Sequence, residues 1–178
     1  MFLMFFCISF NYTILRDTKD TLIVTAAGAE AIPFLKSFGV VPAAILFMLV
    51  YAKLSNVLSR ENLFYVTIFP FVIFFGLFAF VMYPYRDALM PTESAELLKA
   101  YLPGGWSGLA AAYHNWMYSI FYISAELWGS VVLSLLFWGF ANQITRVTEA
   151  KRFYSLFGLG ANLALLVSGP AIVYVSDI

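Results

Sequence analysis

The chain has 178 residues, of which 62% are hydrophobic and 11% are charged, with no net charge and a mean hydropathy of +0.86. Soluble domains average about 25% charged residues, so this composition predicts an all-α integral membrane protein with no soluble domain. The zero net charge gives no support for nucleic-acid binding, and the single cysteine, Cys7, excludes an internal disulfide. The sequence contains neither a Cys/His cluster nor a glycine-rich phosphate loop, so we predict no metal site and no cofactor.

The first predicted helix, at about residues 2–27, carries a group of charged residues in an apolar setting: Arg16, Asp17, Lys19 and Asp20. A helix of this length can cross a hydrocarbon core of ~30 Å. At roughly 100° per residue the four charges share an arc of about 160°, with Arg16 and Asp20 as an i,i+4 pair. Ionisable groups at membrane depth usually face a bundle interior or a watery cavity. The alternative is a solvated helix end, with only the first 15 residues in the membrane, although that stretch is short of a full span.

Four more apolar segments predict membrane spans, at about residues 37–52, 63–83, 115–141 and 153–175. The connector at 84–114 is predicted to hold a short interfacial helix at 93–99. Lys and Arg are denser in the links after the even-numbered helices, which predicts that the first helix runs from the cytoplasmic side outwards. The chain begins inside one span and ends just after another, so we expect it to be a fragment of a longer protein.

Glu126 lies near the middle of the fourth predicted span, on one stripe with Ser119, Tyr122 and Ser130. A carboxylate at membrane depth indicates a functional site with a basic partner, for which Arg16 and Lys19 are the candidates. The same pair could instead serve only to lock two helices together. Asn162, in the fifth span, either faces the cavity or bonds a neighbouring helix, and the sequence leaves both open.

Several ungapped motifs in these helices carry a family resemblance: residues 13–22 (TILRDTKDTL), 125–130 (AELWGS), 136–144 (LFWGFANQI) and 152–162 (RFYSLFGLGAN). They resemble the ATP/ADP translocase family of obligate intracellular bacteria and plastids, and the resemblance covers essentially the whole chain. It implies about twelve helices in a major-facilitator-like arrangement, of which this chain would form most of the N-terminal six-helix bundle. It also implies a multi-pass protein of a bacterial inner membrane or a plastid inner envelope. The missing C-terminal half of the same transporter and the lipid bilayer would then be its partners.

The resemblance implies import of ATP in exchange for ADP, with phosphate as a further substrate, and importance of Lys19 and Glu126 for transport. Cationic side chains pair strongly with phosphate oxygens, but two aspartates offset Lys19 and Arg16, so further cations would have to come from helices outside this chain. Tyr122 could stack on a base or simply pack. The predicted substrate site comprises Lys19, Arg16, Glu126, Asp17, Asp20, Tyr122 and Asn162.

Three alternatives remain open at the level of sequence. Within the family, Glu126 could couple proton movement to net import of other nucleotides. In another class, a membrane-embedded enzyme could use Glu126 with His114 as acid and base, although helix rise separates the two residues by roughly 18 Å. A third alternative is a helix-bundle assembly protein in which the charges only lock packing.

Overall fold

The computed structural model describes residues 2–139, 141 and 150–176, and their regular elements are all helical. The chain divides into two compact units. One contains the described residues of 1–18 and 128–178, and the other contains residues 19–127. Because the regular elements of the described residues are all helical, the all-α prediction is correct.

The first helix, α1 (Phe2–Ala27), runs without a break through the charged stretch. Its 26 residues correspond to about 39 Å at 1.5 Å per residue. Gly28 ends it with a φ of 83°, and its amide donates to the carbonyl of Val24 at 3.1 Å. A left-handed residue after the last turn is a common helix stop that favours glycine.

The next helical stretch begins earlier and ends later than predicted. It consists of α2 (Ala31–Phe34), a π-helical segment (Leu35–Val40) and α3 (Val41–Val57), which follow one another directly. The predicted connector up to residue 36 is wrong because Pro33 lies in the first turn, where a proline has no intrahelical hydrogen bond to lose. The helix ends at Val57 rather than near residue 52, where the backbone of Leu58 becomes extended.

The third predicted span is observed as α4 (Arg60–Leu77), which continues as a π-helical segment (Phe78–Met82). At its start, the side chain of Ser59 accepts a hydrogen bond from the amide of Asn62 at 3.4 Å, a typical helix cap.

The connector after this span is more helical than its sequence indicated. It contains α5 (Arg86–Leu89), α6 (Thr92–Tyr101), a 3₁₀ turn (Gly104–Trp106) and α7 (Ser107–His114). The short interfacial helix predicted at 93–99 corresponds to α6. The other short helices of the connector were not predicted because they contain many polar and small residues. Short helices depend on tertiary packing more than on helix propensity.

Asn115 separates the connector from the fourth span, which is α8 (Trp116–Trp128) followed by a π-helical segment (Gly129–Phe137). The last described helix is α9 (Ala150–Ser176). Residues 142–149, where most of a polar link was predicted, lie outside the described residues.

Four helical stretches of the described chain are long and apolar enough to cross a membrane: Ala31–Val57, Arg60–Met82, Trp116–Phe137 and Tyr154–Tyr174. These stretches agree with a multi-pass membrane protein. Helix α1 is long enough to be a fifth span, but its four charges keep it outside this group, so its passage through the membrane stays a prediction. No residue of α3 is buried, which indicates that this helix needs an apolar environment such as lipid.

Each unit has an aromatic core of its own. In the first unit Phe5, Phe137, Ala141 and Phe157 form a buried cluster, with 4.4 Å between the ring centroids of Phe5 and Phe137. In the second, Phe78 stacks on Phe121 of α8 with ring centroids 4.3 Å apart. Such ring pairs contribute about 0.5–1.5 kcal/mol beyond the area they bury.

Candidate functional site

The buried Lys19 is the centre of a charge cluster in the second unit. Its ammonium nitrogen lies 2.7 Å from Oδ1 of Asp20 and 3.0 Å from Oε2 of Glu126. The same nitrogen lies 4.2 Å from the centroid of the Tyr122 ring, a distance at which the ring face attracts a cation. Lys19 is only 4% exposed and Tyr122 only 1%.

Helical spacing explains why these residues meet. On α1, Lys19, Ile23 and Ala26 follow one another at intervals of four and three residues, which places them on one face. On the other side, Asn115, Ser119, Tyr122 and Glu126 repeat the same intervals. Lys19 contacts Tyr122 and Glu126, whereas Ala26 contacts Asn115, so the two stripes face each other in antiparallel directions.

The cluster contains one cation and two carboxylates. The carboxylate side chains keep 45% exposure at Asp20 and 31% at Glu126, whereas the ammonium group between them is buried. An anion that reaches Lys19 would therefore compete with the two carboxylates for its ammonium group. The ammonium has three donors, so exchange of one partner leaves the others in place.

Four of the seven predicted site residues come together in this cluster: Lys19, Asp20, Tyr122 and Glu126. The predicted basic partner of Glu126 is Lys19. Asp20 bonds Lys19, which replaces the predicted pairing of Asp20 with Arg16. Arg16, Asp17 and Asn162 are exposed residues of the other unit, so their part in the site stays a prediction.

The polar stripe around Glu126 is only partly as expected. Ser119 is buried, and its hydroxyl donates to the carbonyl of Ala112 at 2.7 Å. This serine therefore holds the start of α8 in place instead of lining a cavity. Ser130 is exposed and belongs to the other unit.

The structure gives no support to an acid–base pair of Glu126 and His114. The Nδ1 atom of His114 lies 3.3 Å from the carbonyl oxygen of Pro91 in the connector, while Glu126 is paired with Lys19. Among the described residues, no group of three or more His, Cys, Asp or Glu side chains is arranged to hold a metal ion.

Asn115 is a residue of this region that the sequence analysis missed, since it was considered only as the start of a span. Its side-chain amide donates to the carbonyl of Ala26 at 3.1 Å and to that of Ala111 at 3.0 Å. The residue is 5% exposed. The sequence did contain a signal for this role. An asparagine stands where a connector meets an apolar helix, and its side-chain amide can bond backbone groups that lack partners at helix ends.

Comparison with known proteins decides the family. The family model described as TLC ATP/ADP transporter matches residues 1–178. The chain belongs to the TLC ATP/ADP transporter family. This membership confirms the resemblance seen in the motifs, and because the family consists of transporters, it favours a transporter over a membrane-embedded enzyme.

The chain is similar to carriers of bacteria and plastids. It is 66% identical to ADP,ATP carrier protein 1 of Chlamydia muridarum over 100% of this chain and 34% of that protein. It is 59% identical to chloroplastic ADP,ATP carrier protein 2 of Arabidopsis thaliana over 98% of the chain and 29% of the relative. It is 50% identical to ADP,ATP carrier protein 1 of Rickettsia typhi over 96% of the chain and 34% of that protein.

The chain thus spans about a third of the length of the curated family members it matches. No solved structure matches it.

Proposed function

We propose that the chain is part of a nucleotide transporter that exchanges ATP for ADP across a membrane, with phosphate as a further substrate. The observation that carries this proposal is the buried Lys19, held by Asp20, Glu126 and Tyr122, in a chain of a family of ATP/ADP transporters. The names of the bacterial and plastid relatives support the same substrates. The membrane would be a bacterial inner membrane or a plastid inner envelope.

The cluster supports a mechanism of charge exchange. A nucleotide phosphate would take the place of a carboxylate at Lys19, since phosphate oxygens accept strong charge-assisted hydrogen bonds. The displaced Glu126 would loosen the contact between α1 and α8, and release of the bound nucleotide on the other side would allow the ion pair to form again. ADP would then bind on that side and be carried back by the same steps. Such a cycle couples substrate binding to helix movement, as alternating access requires.

The two carboxylates set a requirement on the rest of the protein. With one cation and two anions, the cluster repels a polyphosphate unless further cations lie nearby. In our proposal these come from the remainder of a twelve-helix, major-facilitator-like transporter, whose C-terminal half lies outside this chain. Proton-coupled net import receives less support, because the carboxylate of Glu126 is occupied by Lys19.

Uptake into cells that express the full-length protein tests this function. The cells are given labelled ATP, ADP, phosphate or one of a panel of other nucleotides, and the uptake of each is measured. Uptake of ATP should depend on the presence of ADP inside the cells. Lys19→Gln should abolish this uptake, while Lys19→Arg should retain part of it, because a phosphate contact needs positive charge. Lys53→Gln, at an exposed lysine on α3, is the matched control and should have no effect.

Two results would contradict the proposal. Near-normal uptake by Lys19→Gln would remove Lys19 from the substrate path. Uptake of other nucleotides that follows the proton gradient and needs no internal ADP would replace exchange with proton-coupled import.

A further inference from the structure

We propose that Asn115 is a positioning residue, which sets the register between α1 and α8 and so places Lys19 opposite Tyr122 and Glu126. The inference depends on the proposed function only where transport is the readout. The register itself is a property of the two helices.

The hydrogen bonds of Asn115 join elements that are far apart in sequence. Its amide bonds Ala26, 89 residues away, in the last turn of α1, and also Ala111 in α7. Both partners are carbonyl oxygens, so the NH₂ group must face them, and both of its hydrogens are used. Carbonyls in the last turn of a helix, such as that of Ala26, lack an amide of a following turn, whereas the carbonyl of Ala111 also accepts from the backbone amide of Asn115 at 3.0 Å. Asn115 therefore provides a partner that lipid cannot provide.

The spacing on the two helices matches. Ala26 lies seven residues after Lys19, and Asn115 lies seven residues before Tyr122. Seven residues make about two turns, or roughly 10 Å along each axis. In antiparallel helices, a contact fixed at Ala26 and Asn115 therefore brings Lys19 level with Tyr122, one turn from Glu126.

Between these two contacts the interface is apolar. Ile23 is fully buried, and the hydroxyl of Ser119 donates to Ala112 of α7 rather than to α1. Apolar contacts are not directional, whereas the two hydrogen bonds of Asn115 can form in one register only. A slip of one turn, about 5.4 Å, would carry Lys19 away from its partners.

A cross-linking experiment measures this register. Lys19→Cys and Glu126→Cys are combined in the full-length protein without other reactive cysteines and treated with a short bifunctional thiol reagent. These substitutions remove the ion pair, so the register then depends more strongly on Asn115. A second pair, Glu30→Cys with Ser107→Cys, reports the contact of the segment after α1 with α7, where the hydroxyl of Ser107 lies 3.3 Å from Oε2 of Glu30.

Asn115→Leu keeps the volume but removes both donors and should lower the cross-link yield at positions 19 and 126 by about tenfold. Asn115→Gln keeps the NH₂ group and should recover much of the yield. The exposed Asn56→Leu on α3 should change nothing. The pair at 30 and 107 should cross-link in every variant. With Lys19 and Glu126 intact, Asn115→Leu should also lower the maximal uptake rate per transporter molecule in the membrane.

An unchanged yield at 19 and 126 in Asn115→Leu would overturn the proposal, and so would equal loss at both pairs, which would indicate general unfolding. An uptake rate per molecule that stays normal would also overturn it. If the unmodified protein does not exchange ATP for ADP but the cross-link falls as expected, the proposed function fails and the positioning role stands.

Discussion

At the scale of the residue, the members of the cluster around Lys19 should contribute unequally to the stability of the protein. Removal of the Glu126 charge leaves Asp20 to neutralise Lys19, because both carboxylates bond the same ammonium group. Removal of the Lys19 charge leaves two carboxylates without their cation. Loss of a hydrogen bond to a charged group costs about 1.5–3 kcal/mol, so the lysine should matter more for stability than either acid.

Double variants at this cluster separate packing from transport. Lys19→Gln should lower the amount of folded protein, and Glu126→Gln should lower it less. Lys19→Gln with Glu126→Gln should restore it in large part, because Glu126 then no longer lacks its cation and only the half-exposed Asp20 does. Uptake should stay absent in the double variant if either residue takes part in exchange. Protein level in membranes and ATP uptake per molecule provide the measurements. Full recovery of uptake would show that the pair only locks the helices together.

At the scale of the element, the approach of α2 to α7 depends on a glycine. A Cβ atom at the buried Gly108 would overlap the backbone carbonyl of Glu30 and would lie 2.9 Å from Cδ2 of Phe34. Backbone cannot move aside as a side chain can, so α7 would have to shift. The connector helices, which the sequence barely indicated, are therefore held by close packing and not by propensity.

Gly108→Ala should destabilise the protein by about 1–3 kcal/mol, the usual cost of overpacking. Gly76→Ala is the matched control, since a Cβ atom at Gly76 on α4 meets nothing within 4 Å. In a helix this change should be neutral or stabilising by about 0.5–1 kcal/mol. Thermal unfolding in detergent compares the two variants. Equal melting temperatures would show that α7 can move away from α2 at no cost.

At the scale of the whole molecule, the direction of the helices follows from where the basic residues lie. If α1 runs outwards, the link at Ser59 is cytoplasmic and the connector that contains Ser94 is external. Lys and Arg near the ends of spans favour the cytoplasmic side, and the links after the second and fourth predicted spans carry more of them. The same argument predicts a cytoplasmic position for the link at residues 142–149, which lies outside the described part of the structure.

Cysteines introduced at Ser59 and Ser94, in a background without Cys7, should react from opposite sides of the membrane. Both serines are exposed, as is Cys7. An impermeant thiol reagent added outside should label the cysteine at 94, and the cysteine at 59 should react only after permeabilisation. Labelling of both from outside would overturn the assigned direction of α1.

The sequence by itself determined the class of this protein and the family to which it belongs. Hydropathy revealed the apolar spans because lipid requires long runs of apolar residues with satisfied backbones. The charges at Lys19 and Glu126 stood out for the same reason, since a bilayer tolerates few ionisable groups. Helical periodicity also placed Tyr122 on the same stripe as Glu126.

Only the tertiary structure decided which cation Glu126 contacts. Arg16 and Lys19 share one broad arc of α1, so periodicity leaves both as candidates. The choice depends on the rotation and the register of α1 against α8. Those are set by contacts such as that of Asn115 with Ala26, which joins residues 89 positions apart. No local pattern encodes such a contact, because it arises only when the helices pack.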